Sequence, residues 1–158
     1  MDIRVIGGGA AALAFGAGGL NYISAEDVLG DLQPADAFTA VELQPYMDSV
    51  IVRMDEAWDV FGFETETYAF VGDISFSADA RSRTFNEEIV SEDRLSAADR
   101  KMVAEGYRAH DYCNTPDVQL FTRNGYNYSV TLRDGANAII AHERCSADGG
   151  GLRPAPSV

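Results

Sequence analysis

The sequence predicts an α+β fold: about four antiparallel strands in two hairpins, with helices on one face, preceded by an N-terminal apolar helix. Three observations predict it. Apolar residues recur at helical spacing over 45–61 and 96–111. They switch to strict alternation over 68–76 and 126–132. Each alternating run is followed by a turn signal and a returning run. The 158 residues suit one domain, and 46% of them are apolar, enough for a buried core. Division along the chain follows composition: an apolar segment at 1–25, an acidic linker at 26–36, an α+β domain at 37–146 and a Gly/Pro-rich flexible tail at 147–158.

The elements are justified in order. Val5 to Ile23 is 19 residues without a charge, close to the roughly 20 that a membrane span needs. Arg4 precedes it, and Glu26, Asp27, Asp31 and Asp36 follow it with no base among them. That asymmetry places the N-terminus in the cytoplasm and the rest beyond an inner membrane, in the periplasm. Gly8, Ala12 and Gly16 fall four apart on one helical face, where small side chains let a second helix approach. Two other readings compete. Ser24-Ala25 offers a small-residue cleavage site, which makes the segment a signal peptide and the body a soluble periplasmic binding or inhibitor domain. VIGGGAAALA also places Gly7, Gly9 and Ala12 in the spacing of a dinucleotide-binding loop. No second β-branched strand ending in an acid follows, as a nucleotide fold requires.

Asp36 is placed to cap a short helix through Leu43, and Pro45 to open a second. In the second, Met47, Ile51, Met54, Trp58 and Phe61 share a face, and Gly62 ends it. The first strand places Tyr68, Phe70, Ile74 and Phe76 on one side and Thr67, Asp73, Ser75 and Ser77 on the other. A turn at 77–81 leads to a strand at Thr84 to Val90 with Phe85 and Ile89 inward. Glu87 and Glu88 near its end read as a solvated face, since no partner for acid–base chemistry is visible. Ser96 with Asp99 forms a capping-box-like start to the next helix. Thr115-Pro116 opens a short one, which Gly125 closes in a left-handed conformation. Tyr126, Tyr128, Val130 and Leu132 alternate, Asp134 to Asn137 turns, and the final strand ends at Cys145.

Charge excludes some partners. The formal net charge is −13, so a phosphate backbone or an anionic lipid surface would repel the body of the chain. Cys113 and Cys145 make an even pair, which in an exported chain invites a disulfide. Both histidines lie three residues before a cysteine, so His110, Cys113, His142 and Cys145 also form a set of zinc-ligand type. If His142 and Cys145 share a strand, their odd spacing puts them on opposite faces.

The stretch 112–145, YCNTPDVQLFTRNGYNYSVTLRDGANAIIAHERC, resembles a C-terminal unit of small exported bacterial proteins of uncharacterised function. Its pattern is a cysteine, a short helix, a glycine, a Tyr-rich hairpin and a final cysteine, and the resemblance extends over about residues 65–145. It implies an extracytoplasmic compartment, an α+β fold and pairing of Cys113 with Cys145, and it carries over no catalytic residue. The expected role is that of a non-catalytic accessory protein, without cofactor or metal, that contacts a membrane protein or protein complex.

Overall fold

The computed structural model describes residues 28–61, 72–92, 94–109 and 112–147. The apolar segment, with Gly7, Gly8, Gly9, Ala12 and Gly16, lies outside them, as do Tyr68, Phe70, His110 and the tail from 148. Among the described residues no helix is long and apolar enough to cross a membrane.

Among the described residues three helices and four strands follow in the order α1 (Ala40–Phe61), β1 (Gly72–Asp79), β2 (Thr84–Ser91), α2 (Ala97–Ala109), α3 (Pro116–Arg123), β3 (Asn127–Arg133) and β4 (Ile139–Cys145). Single 3-10 turns occupy Ala35–Ala37 and Tyr112–Asn114. The strands lie in one sheet in sequence order. β1 pairs antiparallel with β2, and β3 with β4, so both expected hairpins form. The sheet is nevertheless mixed, because β2 and β3 run parallel. This corrects the expected all-antiparallel arrangement. Two helices lie between β2 and β3, and their crossover returns the chain to the end of the sheet from which β2 started.

Helix boundaries follow capping chemistry. Asp36 lies in the 3-10 turn Ala35–Ala37, and the rest of the expected short helix runs on without a break through Pro45 as one α1 from Ala40. Thr39 starts it: Glu42 accepts from the Thr39 backbone N–H at 2.9 Å and from its hydroxyl at 2.8 Å. Pro45 lies inside the second turn and costs one backbone donor there. α2 begins at the expected box, with the Asp99 amide donating to Ser96 Oγ at 3.1 Å and that hydroxyl donating to Asp99 at 2.7 Å. Thr115 caps α3, with Pro116 at its first position. Gly125 follows at φ +86, where a side chain would be strained and would press toward Ala35.

Register defines two unlike faces. Ile74, Phe76 and Ala78 of β1 stand level with Ile89, Glu87 and Phe85 of β2, then with Leu132, Val130 and Tyr128 of β3, then with Ala141, Glu143 and Cys145 of β4. This side holds the core. α1 packs against β1, α3 against β3 and α2 against β4. Its centre is aromatic: Phe85 meets Phe121 and Tyr126 at 5.1 Å between centroids, and Phe121 meets Tyr128 at 4.8 Å. The opposite side carries Ser75, Ser77, Asn86, Glu88, Ser129, Thr131, His142 and Arg144, and most of these are exposed or half-exposed.

The acidic stretch expected as a linker is part of the folded body from residue 28 onward. Leu29, Leu32 and Ala35 are buried in the core. Polar bonds hold the stretch on both sides. The Tyr126 hydroxyl donates to Gln33 O at 2.8 Å, the Gln33 amide donates to the Tyr46 hydroxyl at 2.7 Å, and Ala35 N donates to Asn124 O at 2.8 Å. Arg53 reaches Val28 O and pairs with Asp31. Leu29→Ala should therefore destabilise the domain by about 2–5 kcal/mol in urea unfolding, as truncation of a fully buried leucine does. A loss below about 0.5 kcal/mol would place this stretch outside the cooperative core.

Candidate functional site

Cys113 sits in the 3-10 turn after α2, and Cys145 ends β4. Their sulfurs are bonded, with Cα atoms 5.3 Å apart, so no cysteine is free. Both residues are buried. The bond ties the crossover to the edge strand of the second hairpin, 32 residues later in the chain. On the chain-entropy account, closing such a loop stabilises the fold by about 3–4 kcal/mol.

The same bond takes two sulfurs out of the zinc-type set. His142 faces the exposed side of β4, three residues from Cys145 and on the opposite face, and its Nδ1 lies 2.9 Å from the Thr131 hydroxyl. Among the described residues no group of three or more His, Cys, Asp or Glu side chains is placed to hold a metal ion. Nor is the described sheet doubly wound: one of its three pairings is parallel, where a dinucleotide fold needs a mostly parallel sheet.

One polar group lies where sequence reading did not put it. Glu87 is 1% exposed and points into the core between Phe85 and Ile89, which corrects its reading as solvated. The Tyr128 hydroxyl, itself buried, donates to Glu87 Oε2 at 2.7 Å across the parallel β2–β3 pair. Register explains the contact. Phe85 stands opposite Tyr128 and Glu87 opposite Val130, so Glu87 and Tyr128 are diagonal neighbours on one face. Alternation carried the signal, since 85, 87 and 89 share a parity and two of the three are plainly core residues. Glu88, of the other parity, meets Arg133 at 3.0 Å on the open face.

A second buried carboxylate organises the β3–β4 turn. Asp134 is 0% exposed, and its Oδ1 accepts from the amides of Ala138 at 2.9 Å and Ala136 at 3.0 Å. Asn137 takes a positive φ of 66 to close this loop. The Arg100 guanidinium of α2 stands 3.9 Å from the other oxygen. The Ala138 amide, then that of Ala136 and the Arg100 charge, hold the Asp134 carboxyl below its ordinary range against the opposing effect of desolvation.

Glu87 and Tyr128 join β2 to β3, and Asp134 joins the ends of the β3–β4 turn. The Glu87–Tyr128 pair is buried, and Asp134 Oδ1 accepts from two backbone amides. No protein family, curated protein or solved structure matches the chain.

Two measurements check the joints. Tyr128→Phe removes the donor to a buried carboxyl and should cost about 1–3 kcal/mol, while Glu87→Gln, which keeps an acceptor, should cost less. Asp134 has a folded pKa below its unfolded one. Its contribution is therefore complete above the ordinary value of 3.8 and is lost as pH falls through the lower folded value. The wild type should lose stability below about pH 4, and Asp134→Asn should flatten that part of the profile.

Proposed function

We propose that this chain is a non-catalytic accessory protein whose disulfide-closed α+β domain works outside the cytoplasm. In this reading residues 5–23 anchor it in the inner membrane, its N-terminus is cytoplasmic and its domain is periplasmic. Gly8, Ala12 and Gly16 would pack against a helix of a larger membrane assembly. The observation that carries the reading is the Cys113–Cys145 bond, because such bonds persist in oxidising compartments and are rare in reducing ones. The uncharged run of 19 residues upstream supplies a route across the membrane. The two buried carboxylates support a structural role, since one oxygen of each is hydrogen-bonded within the fold.

The test is the intact mass of the protein isolated from its native membranes, alkylated before and after reduction. A full-length mass with no alkylation until reduction is expected. A mass beginning near Glu26 would move the domain to the soluble periplasm after signal cleavage. Two thiols alkylated without reduction would remove the export argument. Gly8, Ala12 and Gly16, changed together to leucine, should release the protein from its membrane partner, and co-purification that survives the change would remove the packing role.

A further inference from the structure

Among the described residues strand β1 is an edge of the sheet, and one end of its outer side is already occupied by a side chain. The Gln44 carboxamide of α1 donates to Ala78 O at 3.1 Å and accepts from Ala80 N–H at 2.8 Å. A carboxamide is a chemical copy of a peptide group, so Gln44 stands where the next strand would begin. Asp48, one turn on, holds it by accepting from its Nε2 at 2.8 Å. The plug also reports direction. Ala78 O points away from β2, and alternate residues of an antiparallel strand share that direction. Phe76 and Ile74 therefore turn their backbone N–H and C=O outward, while Ser75 and Ser77 turn theirs to β2. Among the described residues no group bonds those outward donors and acceptors of Ile74 and Phe76.

The surroundings of this open length are acidic. Gln44 fixes α1 beside the C-terminal end of β1. Gln44 Nε2 donates to both Asp48 and Ala78 O, which places the Asp48 carboxylate beside the plugged end of β1. Asp48 and Val52 are exposed on α1, Val52 at 54%, and Asp73 is exposed on β1. Among the described residues no base is ion-paired to Asp48 or Asp73. We propose that the outer side of β1, from Gly72 to the Gln44 plug, binds an extended segment of a partner protein, with its backbone on Ile74 and Phe76 and its basic side chains toward Asp48 and Asp73. The plug sets the length: it stops pairing at Ala78 and limits the site to a short strand. This binding mode is strand addition. It stands apart from the proposed compartment and anchor, since it depends only on the folded domain.

The test follows the backbone amides of the oxidised full-length chain by hydrogen exchange in NMR spectra. In the free chain the Ile74 and Phe76 amides should exchange far faster than those of Ser75 and Ser77. A blocked ten-residue peptide alternating pairs of lysine with pairs of valine, which presents lysine on both faces, should slow both at least tenfold. The same peptide with a central proline, or with glutamate for lysine, should not. Asp73→Lys, at an exposed position, should weaken the lysine peptide about fivefold at low salt. Three results would overturn the proposal: protection of Ile74 and Phe76 in the free chain at every dilution, protection that grows with protein concentration alone, or no protection by the lysine peptide. The first would mean that the chain covers its own edge, and the second that a second copy does.

Discussion

The parallel pairing of β2 with β3 is the constraint on which the rest of this structure depends. Each hairpin alone has two edges and one side to bury, and a two-stranded ribbon is marginal in water. Joining them through β2 and β3 gives four strands with a single core face. A parallel join demands a crossover, and α2, the turn at Tyr112–Asn114 and α3 provide it. The crossover lays α2 over β4 and α3 over β3. It also carries Cys113 to the level of Tyr128, where Cys145 ends its strand. The disulfide thus closes what the parallel pair opened, tying the connection to the sheet that it spans.

Inner position also explains the buried acid. In a central strand every inward residue is covered, whatever its chemistry, and Glu87 falls between Phe85 and Ile89 with no choice of face. An uncompensated carboxylate there would cost several kcal/mol. The Tyr128 hydroxyl compensates from the parallel neighbour, so the polar pair requires the same β2–β3 register as the aromatic cluster around Phe85 and Phe121. A slip of one residue would turn Glu87 outward but would send Phe85 and Ile89 with it. The pair therefore marks the register at small net energy, while the apolar residues on either side enforce it.

Local chemistry was the part most legible in the sequence. Ser96 with Asp99, Thr115 with Pro116, and Gly125 each act within a few residues, and each stands where the caps require. Alternation along β2 and β3 was equally plain. Pro45 is a strong local signal for a start of α1, whereas Thr39 and Glu42 supply two bonds that fix the start five residues earlier, at Ala40. Parallel pairing was readable in principle, since two helices between hairpins imply a crossover, but choosing a neighbour for β2 needs contacts distant in sequence. Composition misled at 28–36. Its acids, Asp31 and Asp36, suggested a linker, yet Leu29, Leu32 and Ala35 recur at intervals of three and place one side of the stretch in the core. The polar groups of such a stretch are satisfied by residues far along the chain, Tyr126 and Asn124 among them, and no local pattern announces that.

That buried start has a consequence for the proposed anchor. If residues 5–23 cross the membrane, only 24–27 separate the span from Val28, whose carbonyl Arg53 already holds. Four extended residues cover no more than about 14 Å. The domain would then sit directly above the bilayer, with the α1 surface around Arg53 and Asp31 nearest to it. A body this acidic is repelled by anionic lipid, so tether and charge act against each other. On that reading the balance would hold the domain close to the surface without adhesion and limit its reach to proteins of the same membrane. A short tether of this kind would raise the effective concentration of a partner, so even a brief strand contact at β1 would gain occupancy that it lacks in free solution.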